Sequence, residues 1–167
     1  QNVFSSFFYF PFQILEYVSS EFPMYDADLG KNQTFYEFCH GFCQANEPVR
    51  MVYNILRILE GNVSEGIRQR VNLSYPTSEI FSTKFSLLPS FFGVEMEENG
   101  TSIKSVKLIN LLFRAERHPS WTVDMVKEWE MNIEEYFSRY EHYHCCFHIW
   151  WMAADKFPST TIKVVYL

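Results

Sequence analysis

The amino-acid sequence has its clearest pattern in residues 34–59, which read TFYEFCHGFCQANEPVRMVYNILRIL. Apolar residues recur there at alternating steps of three and four, at Phe35, Phe38, Phe42, Ala45, Val49, Val52, Leu56 and Leu59. This is the period of one helix face, so the stretch is predicted to lay a single apolar stripe against a core. Thr34 and Glu37 have the spacing of a capping box, and Gly61 stands where a helix would end.

Pro48 interrupts this helical pattern in its middle. Proline lacks an amide hydrogen, and its ring crowds the preceding helical turn. The helix is therefore predicted either to kink at this point or to restart, with Asn46 as the N-terminal cap of the second part.

The composition is typical of one folded domain. The chain has 167 residues, of which 47% are hydrophobic and 19% aromatic, and disordered chains are poor in aromatic residues. The net charge is −6 and no run of Lys and Arg occurs, so nucleic acid is not an expected partner. No apolar run reaches the length of about 20 residues that spans a bilayer. We interpret residues 1–167 as a single domain.

The compartment is indicated by the glycosylation sequons N-x-S/T. Four asparagines head such a sequon, none with Pro at the middle position: Asn32, Asn62, Asn72 and Asn99. Four sequons in so short a chain predict an extracytoplasmic domain. The four cysteines suit an oxidising compartment. The chain starts at Gln1 without the basic segment of a signal peptide, so we interpret it as a piece of a longer chain.

The N-terminal third contains one ambiguous segment and one loop. The aromatic run of residues 7–12 is interpreted either as the end of a preceding membrane helix or as a strand continuing through residues 13–18. Residues 21–31 have the composition of a loop. Apolar and polar residues alternate at positions 71–75, which predicts a strand with Asn72 on its solvent face.

The middle of the chain is predicted to hold a loop and a central strand. Residues 77–101 are interpreted as a loop, with an apolar plug at Phe91 and Phe92 and an exposed turn at Asn99. Residues 103–114 contain a segment, 106–113, that is apolar on both alternating faces for most of its length, which predicts a strand covered on both faces or nearly so.

A second amphipathic helix is predicted to begin after Thr122, which can cap it. Its apolar stripe is formed by Val126, Trp129, Ile133, Tyr136 or Phe137, and Tyr140. Residues 145–152 read as the next strand, and residues 160–167 as a further one. The predicted fold class is therefore α+β, with a ferredoxin-like (split βαβ) antiparallel sheet and two main helices on one face.

The richest cluster of metal-binding side chains lies near the C-terminus. On a strand, His142, His144, Cys146 and His148 would point to one face. Ligands in one straight row cannot surround a single ion tetrahedrally, so disulfide pairing at a strand end is the preferred interpretation and no metal is expected.

The four cysteines are candidates for disulfide bonds. Cys39 and Cys43 lie one helical turn apart, within the range that a disulfide tolerates. They can bridge each other or pair with Cys145 and Cys146, and the sequence does not choose among these pairings.

Catalytic templates are missing from the sequence. It contains no G-x-S-x-G, H-E-x-x-H, Walker or dinucleotide-binding pattern. We expect no enzyme activity and no cofactor.

The surplus of aromatic residues admits two interpretations, core packing or an apolar contact surface. The candidates for contact with a lipid or a neighbouring domain are Phe91, Phe92, Trp150 and Trp151.

A series of short motifs resembles the first extracellular domain of the Patched-related family, within the resistance-nodulation-division superfamily. The motifs, in chain order, are Phe38-Cys39 with Phe42-Cys43, Asn46-Glu47-Pro48-Val49, Leu73-Ser74-Tyr75-Pro76, Phe91-Phe92-Gly93, Leu112-Phe113-Arg114-Ala115-Glu116-Arg117 and Lys127-Glu128-Trp129-Glu130. The resemblance divides the chain into a weakly patterned segment (1–34), a family-like core (35–152) and a divergent tail (153–167). A truncated product, a splice form or a flawed gene model would each explain that tail.

The resemblance implies a domain on the extracellular face of the plasma membrane or in the lumen of an endomembrane compartment, built on a ferredoxin-like core. It also implies contact with sterol or another lipid, or with a second ectodomain of the same chain, in a protein anchored by flanking membrane helices. The alternative is a free-standing secreted glycoprotein that binds a protein partner.

Overall fold

The computed structural model describes residues 3–116, 119–140, 147–152 and 159–166. Within them the chain forms an α+β fold of helices and small antiparallel sheets, which confirms the predicted class. The helices are α1 (Val3–Glu21), α2 (Phe35–Phe38), a 3-10 helix (His40–Asn46), α3 (Glu47–Glu60), α4 (Glu65–Arg68) and α5 (Val123–Tyr140). The strands are β1 (Met24–Asp26), β2 (Lys31–Gln33), β3 (Val71–Asn72), β4 (Thr77–Ile80), β5 (Thr83–Ser86), β6 (Phe91–Phe92), β7 (Glu95–Met96), β8 (Ile103–Ser105), β9 (Leu108–Glu116), β10 (Phe147–Met152) and β11 (Ser159–Tyr166).

The chain divides into two structural units. The first unit comprises Gln1–Gln13 and Asn46–Asn110, and the second unit comprises Ile14–Ala45 and Leu111–Leu167. The division into N-terminal segment, core and tail that the resemblance implies stays a prediction.

The restart at Pro48 is confirmed. Asn46 is the N-cap of α3, Pro48 lies in its first turn, where the missing amide hydrogen costs nothing, and Gly61 is the C-cap. The predicted stripe is buried at Phe35, Phe38, Val49, Val52 and Leu56. It is divided between the two units, because Phe35 and Phe38 belong to the second unit and α3 belongs to the first.

The N-terminal segment is helical, so the predicted strand at residues 13–18 is wrong. Buried positions in α1 recur at helical steps, at Pro11, Ile14, Leu15 and Val18. In the first unit the ring of Phe12 stacks on the ring of Tyr53 with centroids 3.7 Å apart. Among the described helices none is long and apolar enough to span a bilayer.

Short strands occupy about half of the predicted loop at 77–101, so that prediction is wrong for those residues. Strands β3, β4 and β5 form an antiparallel sheet, and β4 and β5 are joined by a turn at Phe81 and Ser82 with φ values of 48° and 70°. Those two residues carry no Gly or Asn signal, which explains why the hairpin was missed. The exposed turn at Asn99 is confirmed, with Gly100 at φ 66°.

The predicted central strand is divided between β8 and β9. Strand β8 pairs with β7, and β6 pairs antiparallel with the start of β9, placing Phe91 opposite Ile109. Further along β9, in the second unit, every other side chain is fully buried, at Leu111, Phe113 and Ala115. The other face is half-buried.

The second predicted helix is confirmed as α5. The hydroxyl of Thr122 accepts a hydrogen bond from the backbone N–H of Met125 at 3.2 Å. The buried stripe consists of Val126, Trp129, Ile133 and Phe137. The two predicted C-terminal strands are confirmed as β10 and β11, which pair antiparallel, and β11 lies between β10 and β9.

Candidate glycosylation and contact sites

Among the described residues of the second unit, aromatic side chains form a buried cluster. The ring of Phe38 lies 5.3 Å from that of Trp121 and 5.4 Å from that of Trp129, and Phe35 lies 5.3 Å from Phe113, all centroid to centroid and edge to face. The cavity beside these rings has a volume of about 10 Å³. That is space for about one water molecule, whereas small-molecule pockets have about 300–1,000 Å³.

A larger open groove lies between the end of α1 and α5 in the second unit. Its volume is about 340 Å³, and its lining residues are Glu21, Phe22, Pro23, Asn132, Glu135, Tyr136 and Arg139. The ring of Tyr136 stacks on Tyr17 at 4.5 Å, and the indole N–H of Trp129 donates to the backbone oxygen of Phe22 at 2.7 Å. Glu135 and Arg139 form an ion pair one helical turn apart. The groove therefore presents two aromatic side chains beside charged ones.

A smaller hollow of about 170 Å³ lies between the β1–β2 hairpin and α5. It shares Pro23 and Asn132 with the larger groove. Sequence reasoning missed both hollows because residues 21–31 were interpreted as a loop. The alternation of buried Met24, exposed Tyr25 and buried Asp26 is the signal that could have revealed β1.

The four sequon asparagines are all exposed. Asn32 lies in β2 and Asn72 in β3, while Asn62 follows the C-cap of α3. The side-chain oxygen of Asn99 accepts the backbone N–H of Thr101 at 2.9 Å in the turn after β7. Accessibility of this kind is what an asparagine needs to receive a sugar; the attachment of sugar stays a prediction.

Cys39 and Cys43 form a disulfide bond, with their Cα atoms 5.0 Å apart. The bond joins the C-cap of α2 to the 3-10 helix. The other two cysteines, Cys145 and Cys146, lie outside the described residues. A disulfide fits an extracellular or luminal domain, because cytosolic thiols are kept reduced.

The apolar contact candidates differ in exposure, and one of them needs correction. Phe91 has no exposed surface and contributes to the core, whereas Phe92 is 45% exposed. Adjacent side chains on a strand point to opposite faces, which accounts for the difference. Trp150 and Trp151 belong to β10, opposite Lys163 and Ile162 of β11; their side chains are outside the description.

The metal candidates His142, His144 and Cys146 lie outside the described residues, and His148 is in β10 opposite Val165. In the described part of the chain, no group of three or more His, Cys, Asp or Glu side chains could hold a metal ion.

In the described part of the chain, three titratable groups have a shifted pKa, each with a local cause. The Thr34 backbone N–H donates to Glu37 at 2.7 Å and lowers the pKa of its carboxyl. A hydrogen bond with Tyr9 raises the pKa of Tyr53. Burial raises the pKa of Glu130. The three groups lie on three different helices, α2, α3 and α5.

No protein-family model matches the chain, and no curated protein or solved structure matches it either. The resemblance to the Patched-related family rests on the series of motifs in the sequence and stays a prediction.

Proposed function

We propose that this chain is a non-catalytic, glycosylated ectodomain of a Patched-like multi-pass membrane protein, on the extracellular or luminal side. In this proposal it contacts sterol or another lipid, or a second ectodomain of the same chain, through exposed apolar side chains. The carrying observation is the exposed pair Leu88 and Phe92, which we call the 88/92 patch.

The two residues of the 88/92 patch lie four positions apart in the first unit, Leu88 in the turn before β6 and Phe92 in β6. Leu88 is 54% exposed and Phe92 is 45% exposed, while Leu87 and Phe91 are fully buried. The backbone N–H groups of Ser90 and Phe91 both donate to the carbonyl oxygen of Leu87, at 3.1 and 2.9 Å. Single exposed apolar residues are ordinary in proteins, but a pair held by buried neighbours suits a contact surface.

The size of the cavity in the second unit also favours a lipid contact on the surface. The cavity in the aromatic cluster of the second unit, about 10 Å³, is far too small for a sterol. This cavity does not hold a sterol, so the proposal places the lipid contact on the outside of the fold.

Substitution within the patch tests the proposal. Phe92→Asn removes an aromatic ring that a bound lipid would cover, so the affinity of the purified chain for a fluorescent sterol should fall about tenfold. Phe81→Gln is the control, because Phe81 is 44% exposed on a different hairpin of the same unit and Asn at this position would create a new sequon with Thr83. Equal affinity in the unchanged chain and both variants would remove the patch as a lipid site.

A second candidate function is a free-standing secreted glycoprotein that binds a protein partner. The open groove beside α5 favours it, because Asn132, Glu135 and Arg139 offer hydrogen-bonding and charged groups beside aromatic ones. The full-length transcript distinguishes the two functions. Membrane helices encoded on both sides of this chain support the first, and a signal peptide before it with a stop codon after it supports the second.

A ferredoxin-like core belongs to the same proposal. Strand β6 is antiparallel to β9, and α5 connects β9 to β10, which is the order of the last three strands in a split βαβ sheet. Strand β11, between β9 and β10, would take the position of the first strand, since residues 13–18 are helical. An experimental structure in which β11 does not lie between β9 and β10 would contradict it.

A further inference from the structure

The smaller hollow in the second unit has a sequon asparagine in its wall. Its lining residues are Pro23, Met24, Tyr25, Asn32, Met125, Glu128, Trp129 and Asn132. The volume is about 170 Å³. Asn32 is exposed and lines the hollow, so a sugar attached to its side chain would begin there.

An aromatic ring lies directly beside that attachment point. Tyr25 and Asn32 are opposite each other in the antiparallel pairing of β1 and β2. Directly opposite residues point to the same face, with Cβ atoms about 4.5–5.5 Å apart. Tyr25 is 55% exposed, so one side of its ring is open to a further group.

The hairpin that carries both residues is held in place. The carboxylate of Asp26, which is 3% exposed, accepts the backbone N–H groups of Asp28 and Leu29 at 2.9 and 3.0 Å. Gly30 adopts a φ of 63°, a conformation that glycine takes at little cost. Met24 is buried. Asn32 and Tyr25 thus have a fixed relation to α5.

We propose that the first sugars of an N-glycan on Asn32 lie in this hollow. The apolar face of the first N-acetylglucosamine ring packs on Tyr25, and its hydroxyl and amide groups face Glu128 and Asn132. At attachment, Asn32 Nδ2 bonds to C1 of the sugar, the bond from C1 to the diphosphate of a lipid-linked donor breaks, and the amide loses one proton. This inference rests on the extracytoplasmic location proposed above.

The other sequons provide internal controls. Asn72 lies opposite Glu79 in the β3–β4 pairing, where a sugar finds a carboxylate rather than an aromatic ring. Asn62 and Asn99 lie in exposed connections after α3 and β7. Glycans at these three sites are expected to project into solvent.

Site-resolved deglycosylation tests the proposal. The full chain is secreted from a eukaryotic host and treated in its folded state with peptide N-glycosidase, which converts the sugar-bearing Asn to Asp, and each site is followed by mass spectrometry. Release at Asn32 should be about fivefold slower than at Asn72, from the strength of one ring contact. After unfolding, the two rates should be equal. Tyr25→Ala should remove the protection, and Tyr25→Phe should retain it.

The possible outcomes distinguish failure of this inference from failure of the proposed extracytoplasmic location. Equal rates at Asn32 and Asn72 in the folded chain, or protection that survives Tyr25→Ala, would overturn the inference. Glycans on Asn62, Asn72 and Asn99 with none on Asn32 would also overturn it but leave the extracytoplasmic location intact. Absence of sugar from every sequon would overturn both. The comparison within the unchanged chain stands even if Tyr25→Ala does not fold.

Discussion

Glu130 lies half-buried on α5, next to the buried Trp129, and burial raises the pKa of its carboxyl. A carboxyl whose pKa is higher in the folded than in the unfolded chain binds its proton more tightly when folded. The free energy of unfolding therefore falls as the pH rises from the unfolded pKa through the folded pKa, and it stays lower above that window. At neutral pH the ionised Glu130 destabilises the fold.

Glu130→Gln should remove this penalty, because the amide is neutral and similar in shape. We expect the melting temperature at pH 7 to rise by about 1–2 °C, with the difference shrinking toward pH 4. Glu134→Gln is the control, since Glu134 is exposed on the same helix. A variant less stable than the unchanged chain at pH 7 would show that Glu130 is stabilised by an interaction of its charge.

Single residues were predictable where their role depends on near neighbours along the chain. Thr122 caps α5 and Asn46 restarts the helix before Pro48 because capping geometry involves only a few consecutive residues. Phe91 and Phe92 were not distinguishable, because the choice of the buried ring depends on their pairing with β9, about 17 residues away along the chain.

The disulfide between Cys39 and Cys43 belongs to the scale of elements, because it ties α2 to the 3-10 helix. Replacing both cysteines by Ala should lower the free energy of unfolding by about 2 kcal/mol, the chain-entropy value for so short a loop. Urea denaturation measures this change. Gln44→Ala is the control, since Gln44 is exposed in the same 3-10 helix. Peptide mapping that joins Cys39 or Cys43 to Cys145 or Cys146 would contradict the pairing.

Long elements were predictable and short ones were not. Helix α5 has 18 residues and repeats its apolar stripe over several turns, so its period stands out. Strands β4 and β5 have 4 residues each, too few to repeat an alternation clearly. For the segment that forms α1 the sequence left two interpretations open, the end of a membrane helix and a strand. The segment is helical, with Pro11 inside the helix.

At the scale of the whole molecule, the sequence predicted an α+β fold but not the division into two units. That division falls after Gln13, Ala45 and Asn110, and two of these positions lie inside α1 and β9. A boundary within a continuous helix or strand leaves no Gly, Pro or polar linker to mark it. The hollows were not predictable either, because they form where the segment of residues 21–31, interpreted as a loop, meets α5 about 100 residues further along the chain.

The net charge of the molecule makes a prediction about its lipid contact. The charge is −6 and the isoelectric point about 5.4, so an anionic membrane surface should repel the chain. If the 88/92 patch binds lipid through apolar contact, binding to neutral sterol-containing vesicles should change less than about twofold between low and high salt, because screening acts on charges.

Binding to vesicles that contain an anionic lipid is the complementary measurement. Adding phosphatidylserine to the vesicles should weaken binding at low salt, and salt should restore it, since the Debye length shrinks from about 30 Å at 0.01 M to about 3 Å at 1 M. Flotation of the purified chain with both vesicle types measures these changes. Binding that requires the anionic lipid and disappears in salt would mean that basic side chains, and not Leu88 and Phe92, make the contact.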